Sequence, residues 1–143
     1  MFTPTELLEI NQLLVPENKI VILTHYNPDG DAIGSSLGLK HYLKAKGLEA
    51  EVVVPNDFPK FLKWMPEAKK NIIGEYKRKV AADLIFEADV IFCLDFNAAS
   101  RIGILGDWLS KAKGKKILID HHQQPESFDF VYSDTTIPAT SQM

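Results

Sequence analysis

At 143 residues the chain has the length of one domain, and its 45% hydrophobic and 24% charged residues are those of an ordinary globular protein. A net charge of -3 excludes a broad basic face, so no long duplex gripped through its phosphates is expected as a partner. Cys93 stands alone inside an apolar run, which excludes an intrachain disulfide and predicts a buried thiol.

The first predicted element is a helix. Thr3-Pro4-Thr5-Glu6 reads as a capping box with proline at the first helical position, and Leu7, Leu8, Ile10, Leu13 and Leu14 form its apolar stripe. This acidic, capped start does not resemble a secretory leader. No run approaches the ~20 apolar residues of a membrane span, so no membrane contact and a cytoplasmic location are expected. Pro16 closes the helix. Lys19 to Thr24 is a β-branched run of the kind buried on both faces of a parallel sheet. The turn His25-Tyr26-Asn27-Pro28-Asp29-Gly30-Asp31 follows, and then a helix over Ala32 to Lys46 closed by Gly47.

The alternation repeats. Glu51 to Val54 predicts a strand, Phe58 to Met65 and Val80 to Glu87 helical pieces, and Ile72-Ile73 a stretch of undecided type between them. Val90 to Leu94 predicts a strand ending at Asp95, Ile102 to Ala112 a helix, and Lys116 to Ile119 a strand ending at Asp120. Strands alternating with helices predict an α/β fold, a mainly parallel sheet with helices on both faces. Ser133 to Met143 reads as a strand exit leading toward a further helix, so the chain is expected to be C-terminally incomplete.

Three polar clusters fall at predicted strand ends: His25 to Asp31, Asp95, and Asp120-His121-His122. In open parallel sheets that edge is where ligands bind. Mixed carboxylate and imidazole donors favour Mn²⁺ or a similar first-row ion. In an extended turn His25 and Asp29 can meet one ion while Asp31 reaches another, and Asp95 can bridge the two through its two oxygens. Pro28 fixes φ ahead of the aspartates, and Gly30 is expected to supply the bend between them.

His121 is then the remaining imidazole ligand. His122 faces the substrate as a phosphate contact or proton donor, and Asp120 holds an imidazole in the required tautomer. Gly34, Ser35 and Ser36 are expected to open the following helix, with free N–H groups favouring an anion near Ser35. Arg101 is a candidate phosphate contact, with a structural ion pair as its competing role. Taken singly, each cluster also has a plain reading: a solvated turn, a helix cap, two neighbouring histidines. His41 is expected to be packed or exposed without function. Trp64 and Trp108 are expected to be core anchors, and the lysines at 60, 63, 69, 70, 77, 79, 111, 113, 115 and 116 solvated faces.

The order His-x-Asn-Pro-Asp-Gly-Asp-Ala-Ile-Gly-Ser from His25 to Ser35, Leu94-Asp95, and Asp120-His121-His122 resembles the DHH phosphoesterase superfamily. Within it, the chain is most similar to the bacterial oligoribonuclease and 3'-phosphoadenosine 5'-phosphate phosphatase branch. The resemblance implies a Rossmann-like DHH domain over residues 1–143, with two Mn²⁺ ions for which Mg²⁺ or Co²⁺ are possible substitutes. His25, Asp29 and Asp95 resemble the ligands of one ion, and Asp31, Asp95 and His121 those of the other. It implies hydrolysis of short RNA oligomers and nucleoside 3',5'-bisphosphates. Cyclic-dinucleotide or pyrophosphate hydrolysis, and a metal-binding module without catalysis, are the alternatives. Oligomeric state stays open.

Family members carry a further metal-binding aspartate beyond the Asp-His-His motif, and then a substrate-binding domain. Asp134 comes too early to be that aspartate, and neither element is found in residues 1–143. The piece alone is therefore expected to hold its second metal weakly and to show little activity.

Overall fold

The structure, a computed structural model, describes residues 1–143. Its core is a six-stranded sheet in the order β3-β2-β1-β4-β5-β6, with β1 at Ile20–Leu23, β2 at Ala50–Val54, β3 at Ile72–Ile73, β4 at Val90–Leu94, β5 at Lys115–Asp120 and β6 at Phe130–Ser133. Every neighbouring pair is parallel. The β-branched runs therefore sit where their composition places them: β1 and β4 are buried throughout, because both faces of the sheet are covered.

Alternate residues of each strand feed two cores. Ile20, Ile22, Val52, Val54 and Phe92 pack beneath helices α1 (Pro4–Leu13) and α2 (Gly30–Ala45), with Ile10, Ile33, Leu37 and Leu43 as their partners. On the other face, Val21, Leu23, Ile91, Cys93 and Leu118 meet α3 (Arg78–Glu87) and α4 (Leu105–Lys111) through Ala81, Ile85, Leu105 and Leu109. The expected fold class is thus the one observed, and the Cys93 thiol is buried with its pKa pushed up by desolvation. No helix is long and apolar enough to cross a membrane.

Several local expectations are corrected. The segment Phe58 to Met65 forms no α-helix but a single 3₁₀ turn over Lys60–Leu62, started by Pro59 without a side-chain cap. In so short a turn only Leu62 is carried inward, and Trp64 stands 78% exposed rather than anchoring the core. Trp108, by contrast, packs against the second core. The helix expected over Ile102 to Ala112 is divided at Gly103, whose φ of 55° separates a 3₁₀ turn at Ala99–Ile102 from α4. Ile72-Ile73 is a short edge strand. In α1 the capping box forms as expected, but Leu7 and Leu8 face outward, Ile10 alone is fully buried, and Leu13 and Leu14 pack partly buried against the core.

The strand order doubles back at β1: the chain runs outward to β3, then crosses to the other side of β1 to enter β4. This switch point leaves a crevice at the carboxyl ends of β1 and β4. The register Leu23↔Cys93 and Leu94↔Ile119 carries forward to bring His25, Asp95 and Asp120 abreast on three adjacent strands.

Candidate metal centre

Asp95 is the hub of that crevice. It is 2% exposed and adopts a left-handed φ of 64°, a conformation that aspartate tolerates better than most residues. This turn directly after β4 aims its carboxylate along the strand ends. Oδ2 lies 3.4 Å from His25 Nε2, while Oδ1 lies 3.3 Å from His121 Nε2 and 4.0 Å from His122 Nδ1. The two oxygens thus face two different groups of donors.

His25 follows β1. Its Nδ1 lies 2.7 Å from the Tyr26 carbonyl, which assigns the ring proton to Nδ1 and leaves the Nε2 lone pair aimed at Asp95 and, at 3.8 Å, at Asp29 Oδ1. Burial disfavours the imidazolium, but the hydrogen bonds that only the doubly protonated ring can give to both Asp95 and Tyr26 outweigh it and raise the His25 pKa above its ordinary 6.5.

Asp29 has a structural task as well: its Oδ1 accepts the N–H groups of Asp31 and Ala32, both at 3.0 Å, and so caps α2. The helix consequently begins at Gly30 rather than Ala32. Ile33 N–H already reaches the Asp29 carbonyl, so Gly34, Ser35 and Ser36 lie in the second turn with their amides inside the helix. The expected free amides near Ser35 are not there. Its hydroxyl turns back to the Ala32 carbonyl at 3.3 Å, although Ser35 does line a cleft of about 290 Å³ with Leu94, Ile119 and Thr140. Gly30, expected to supply a bend between the aspartates, is instead the first residue of α2, and the left-handed bend lies before them at Asn27. Asn27 has φ of 53°, and it is fixed by reciprocal bonds of 2.7 and 2.8 Å with Asn56.

Asp31 lies 3.7 Å from His121 Nε2 through Oδ2. Burial opposes its charge, but the N–H groups of Ser141 and Thr140, each at 2.8 Å, lower its pKa below the ordinary 3.8, so it is ionised. Thr140 also donates its hydroxyl to Asp95 Oδ1 at 2.9 Å. Sequence reasoning missed both residues. The only local signal was a Thr-Ser pair after Pro138-Ala139, which says nothing of partners so far away along the chain.

Asp120, fully buried at the end of β5, accepts from His122 Nδ1 at 2.7 Å, leaving that ring's Nε2 unassigned to any protein group, and its own Oδ2 has no partner. Arg101 is exposed and in no ion pair. Its carbonyl accepts the Tyr26 N–H at 2.8 Å, pinning its backbone beside the His25 loop.

The donor set fits divalent cations. Ligand atoms of His25, Asp29 and Asp95 lie within 4.8 Å of one another, as do those of Asp95, His121 and His122. Asp31 stands beside the second group rather than within it. No lysine or arginine pairs with Asp29, Asp31, Asp95 or Asp120, and imidazoles are the only cationic groups within ion-pair reach. Buried carboxylates without permanent counter-charges are costly unless a cation completes them. A cleft of about 300 Å³ at the amino ends of β1 and β2 is rimmed by Glu17, Glu49, Glu51 and Glu87 with Lys19 as its one cation, a mainly acidic setting.

With that geometry established, comparison with known proteins places the chain in a family. Residues 19–143 match the family described as DHH family, N-terminal domain, and the chain belongs to it. It is 38% identical over 129 residues to the bifunctional oligoribonuclease and PAP phosphatase NrnA of Thermus thermophilus, covering 89% of this chain and 35% of that protein. The corresponding protein of Mycoplasma genitalium is 33% identical over 119 residues, covering 80% and 35%. The cyclic-di-AMP phosphodiesterase PdeA of Listeria monocytogenes is 26% identical, covering 83% of this chain and 19% of that one. Among solved structures, an exopolyphosphatase-related protein from Bacteroides fragilis superposes with a TM-score of 0.94 at 44% identity, over 98% of this chain and 42% of that one. The chain spans about a third of the length of the oligoribonuclease relatives.

Proposed function

We propose that this crevice holds two divalent ions, Mn²⁺ in the natural protein, and that the protein hydrolyses phosphate esters of short oligoribonucleotides and nucleoside 3',5'-bisphosphates. The observation that carries this reading is Asp95: a buried carboxylate whose oxygens face separate donor groups, with no lysine or arginine to neutralise it. His25, Asp29 and Asp95 hold one ion; Asp31, Asp95 and His121 hold the other. When bound, such a pair of metals acidifies a water and stabilises charge on the phosphoryl group under attack.

The chain's own residues supply the rest. The Nδ1 proton of His25 is tied to a carbonyl, keeping Nε2 available as a ligand. Asp120 holds His122 by Nδ1, so that in the imidazolium form of the ring the Nε2–H is free to give its proton to the departing oxygen. Arg101, exposed and unpaired beside the His25 loop, meets a substrate phosphate, and Ser35 offers a hydroxyl to substrate in the cleft along α2. In this reading residues 1–143 form part of a DHH catalytic domain whose substrate-binding domain lies outside them. A cytoplasmic setting, short single-stranded substrates and an unpaired thiol belong together.

The similarity to the Listeria phosphodiesterase favours a cyclic dinucleotide as the second reading. Assay of the full-length protein with Mn²⁺ against a dinucleotide, a nucleoside 3',5'-bisphosphate, pyrophosphate and a cyclic dinucleotide separates the two. Turnover of the first pair is expected. Preference for the cyclic compound would replace the substrate assignment, and inertness toward all four with metal bound would leave a non-catalytic metal module.

A further inference from the structure

Thr140 is 4% exposed, and it and its neighbour reach Asp95 and Asp31, two of the three carboxylates assigned to the ions. Its hydroxyl donates to Asp95 Oδ1 at 2.9 Å, its N–H donates to Asp31 Oδ2 at 2.8 Å, and the Ser141 N–H donates to Asp31 Oδ1 at 2.8 Å. Asp95 and Asp31 are 45 and 109 residues away along the chain, just after β4 and in α2, so this is tertiary architecture rather than local turn chemistry.

We infer that Thr140 is a positioning residue for the metal centre, an inference that rests on the metal reading above. A carboxylate oxygen has two lone-pair directions. The hydroxyl occupies one on Asp95 Oδ1 and thereby turns the other toward His121 Nε2, 3.3 Å away. Two amides on the two oxygens of Asp31 stop its carboxylate from rotating. The segment carrying Thr140 thus sets the orientation of a shared ligand and a second ligand at once. Valine in its place keeps the volume and the backbone donors but removes the single bond to Asp95, and serine keeps that bond while losing a methyl group.

The test is calorimetric titration of the full-length protein with Mn²⁺, comparing wild type with Thr140→Val, Thr140→Ala and Thr140→Ser, alongside the melting temperature of each metal-free protein. Loss of the hydroxyl is expected to weaken Mn²⁺ binding about tenfold or more, as for other partners of metal ligands, in Val and Ala alike. Serine is expected to restore wild-type affinity, whatever the melting temperatures. Wild-type affinity in the Val and Ala variants, or equal weakening in Ser and Val, would overturn the role of the hydroxyl while leaving the metal reading intact. Failure of wild type itself to bind Mn²⁺ would overturn both. Should the Val variant not fold, the Ala and Ser pair decides.

Discussion

A carboxylate that is only 2% exposed, sits in a left-handed backbone conformation and touches imidazoles instead of lysine or arginine is held in place by its surroundings, not by its own preference. Asp95 owes that conformation to the strand pairing around it, since its N–H donates to the Ile119 carbonyl at 3.1 Å. Asparagine accepts a left-handed φ almost as readily as aspartate, whereas alanine pays roughly 1 kcal/mol for it. Metal-free Asp95→Ala is therefore expected to be about 1 kcal/mol less stable than metal-free Asp95→Asn in urea denaturation; equal stability would remove the backbone argument. His122 makes a different case, because its contact is with Asp120 at 2.7 Å and its distance to Asp95 is 4.0 Å. Replacing His122 by alanine is expected to slow turnover ~10²-fold or more while leaving Mn²⁺ stoichiometry unchanged. Loss of a metal in that variant would exchange the roles assigned to His121 and His122.

At the scale of elements, the long β-branched runs were legible because a strand buried on both faces admits little else, and three polar clusters at their ends marked the crevice. The short pieces were not. Pro59 and Gly103 break what composition alone reads as helices, and the inward turn of Leu62 leaves Trp64 outside. Asn27 makes the left-handed bend before the aspartates because the Asn56 side chain, from the loop after β2, locks it there. No local pattern reveals such a pairing, nor that of Thr140. The outer strands show a further dependence, on charge. Asp129, just before β6, accepts the Lys116 N–H at 2.9 Å and the Lys115 ammonium at 3.2 Å, tying β6 to the start of β5. Burial works against its ionisation, but these donors prevail and lower its pKa below the ordinary 3.8. A depressed folded pKa contributes stability that is present above the unfolded value and lost as pH falls through the folded one. Asp129→Asn is thus expected to destabilise the protein at neutral pH, with the gap from wild type closing in acid below pH 3.8. A gap that persists unchanged to low pH would show that charge plays no part.

For the molecule as a whole, the reversal of strand order at β1 and β4 explains why residues from four separate stretches of chain converge at one edge of the sheet. Two cores pack against the strands from either face, so the fold itself positions the loops that carry His25, Asp95 and Asp120. Imidazoles and the Thr140 and Ser141 donors surround Asp95 and Asp31, and the proposed metal centre predicts that the ions bind as a linked pair through Asp95. The most direct test is the Mn²⁺ stoichiometry of the full-length protein, wild type against Asp95→Asn. The account predicts two ions per wild-type chain and loss of both in the variant; two ions held by Asp95→Asn at wild-type affinity would contradict it.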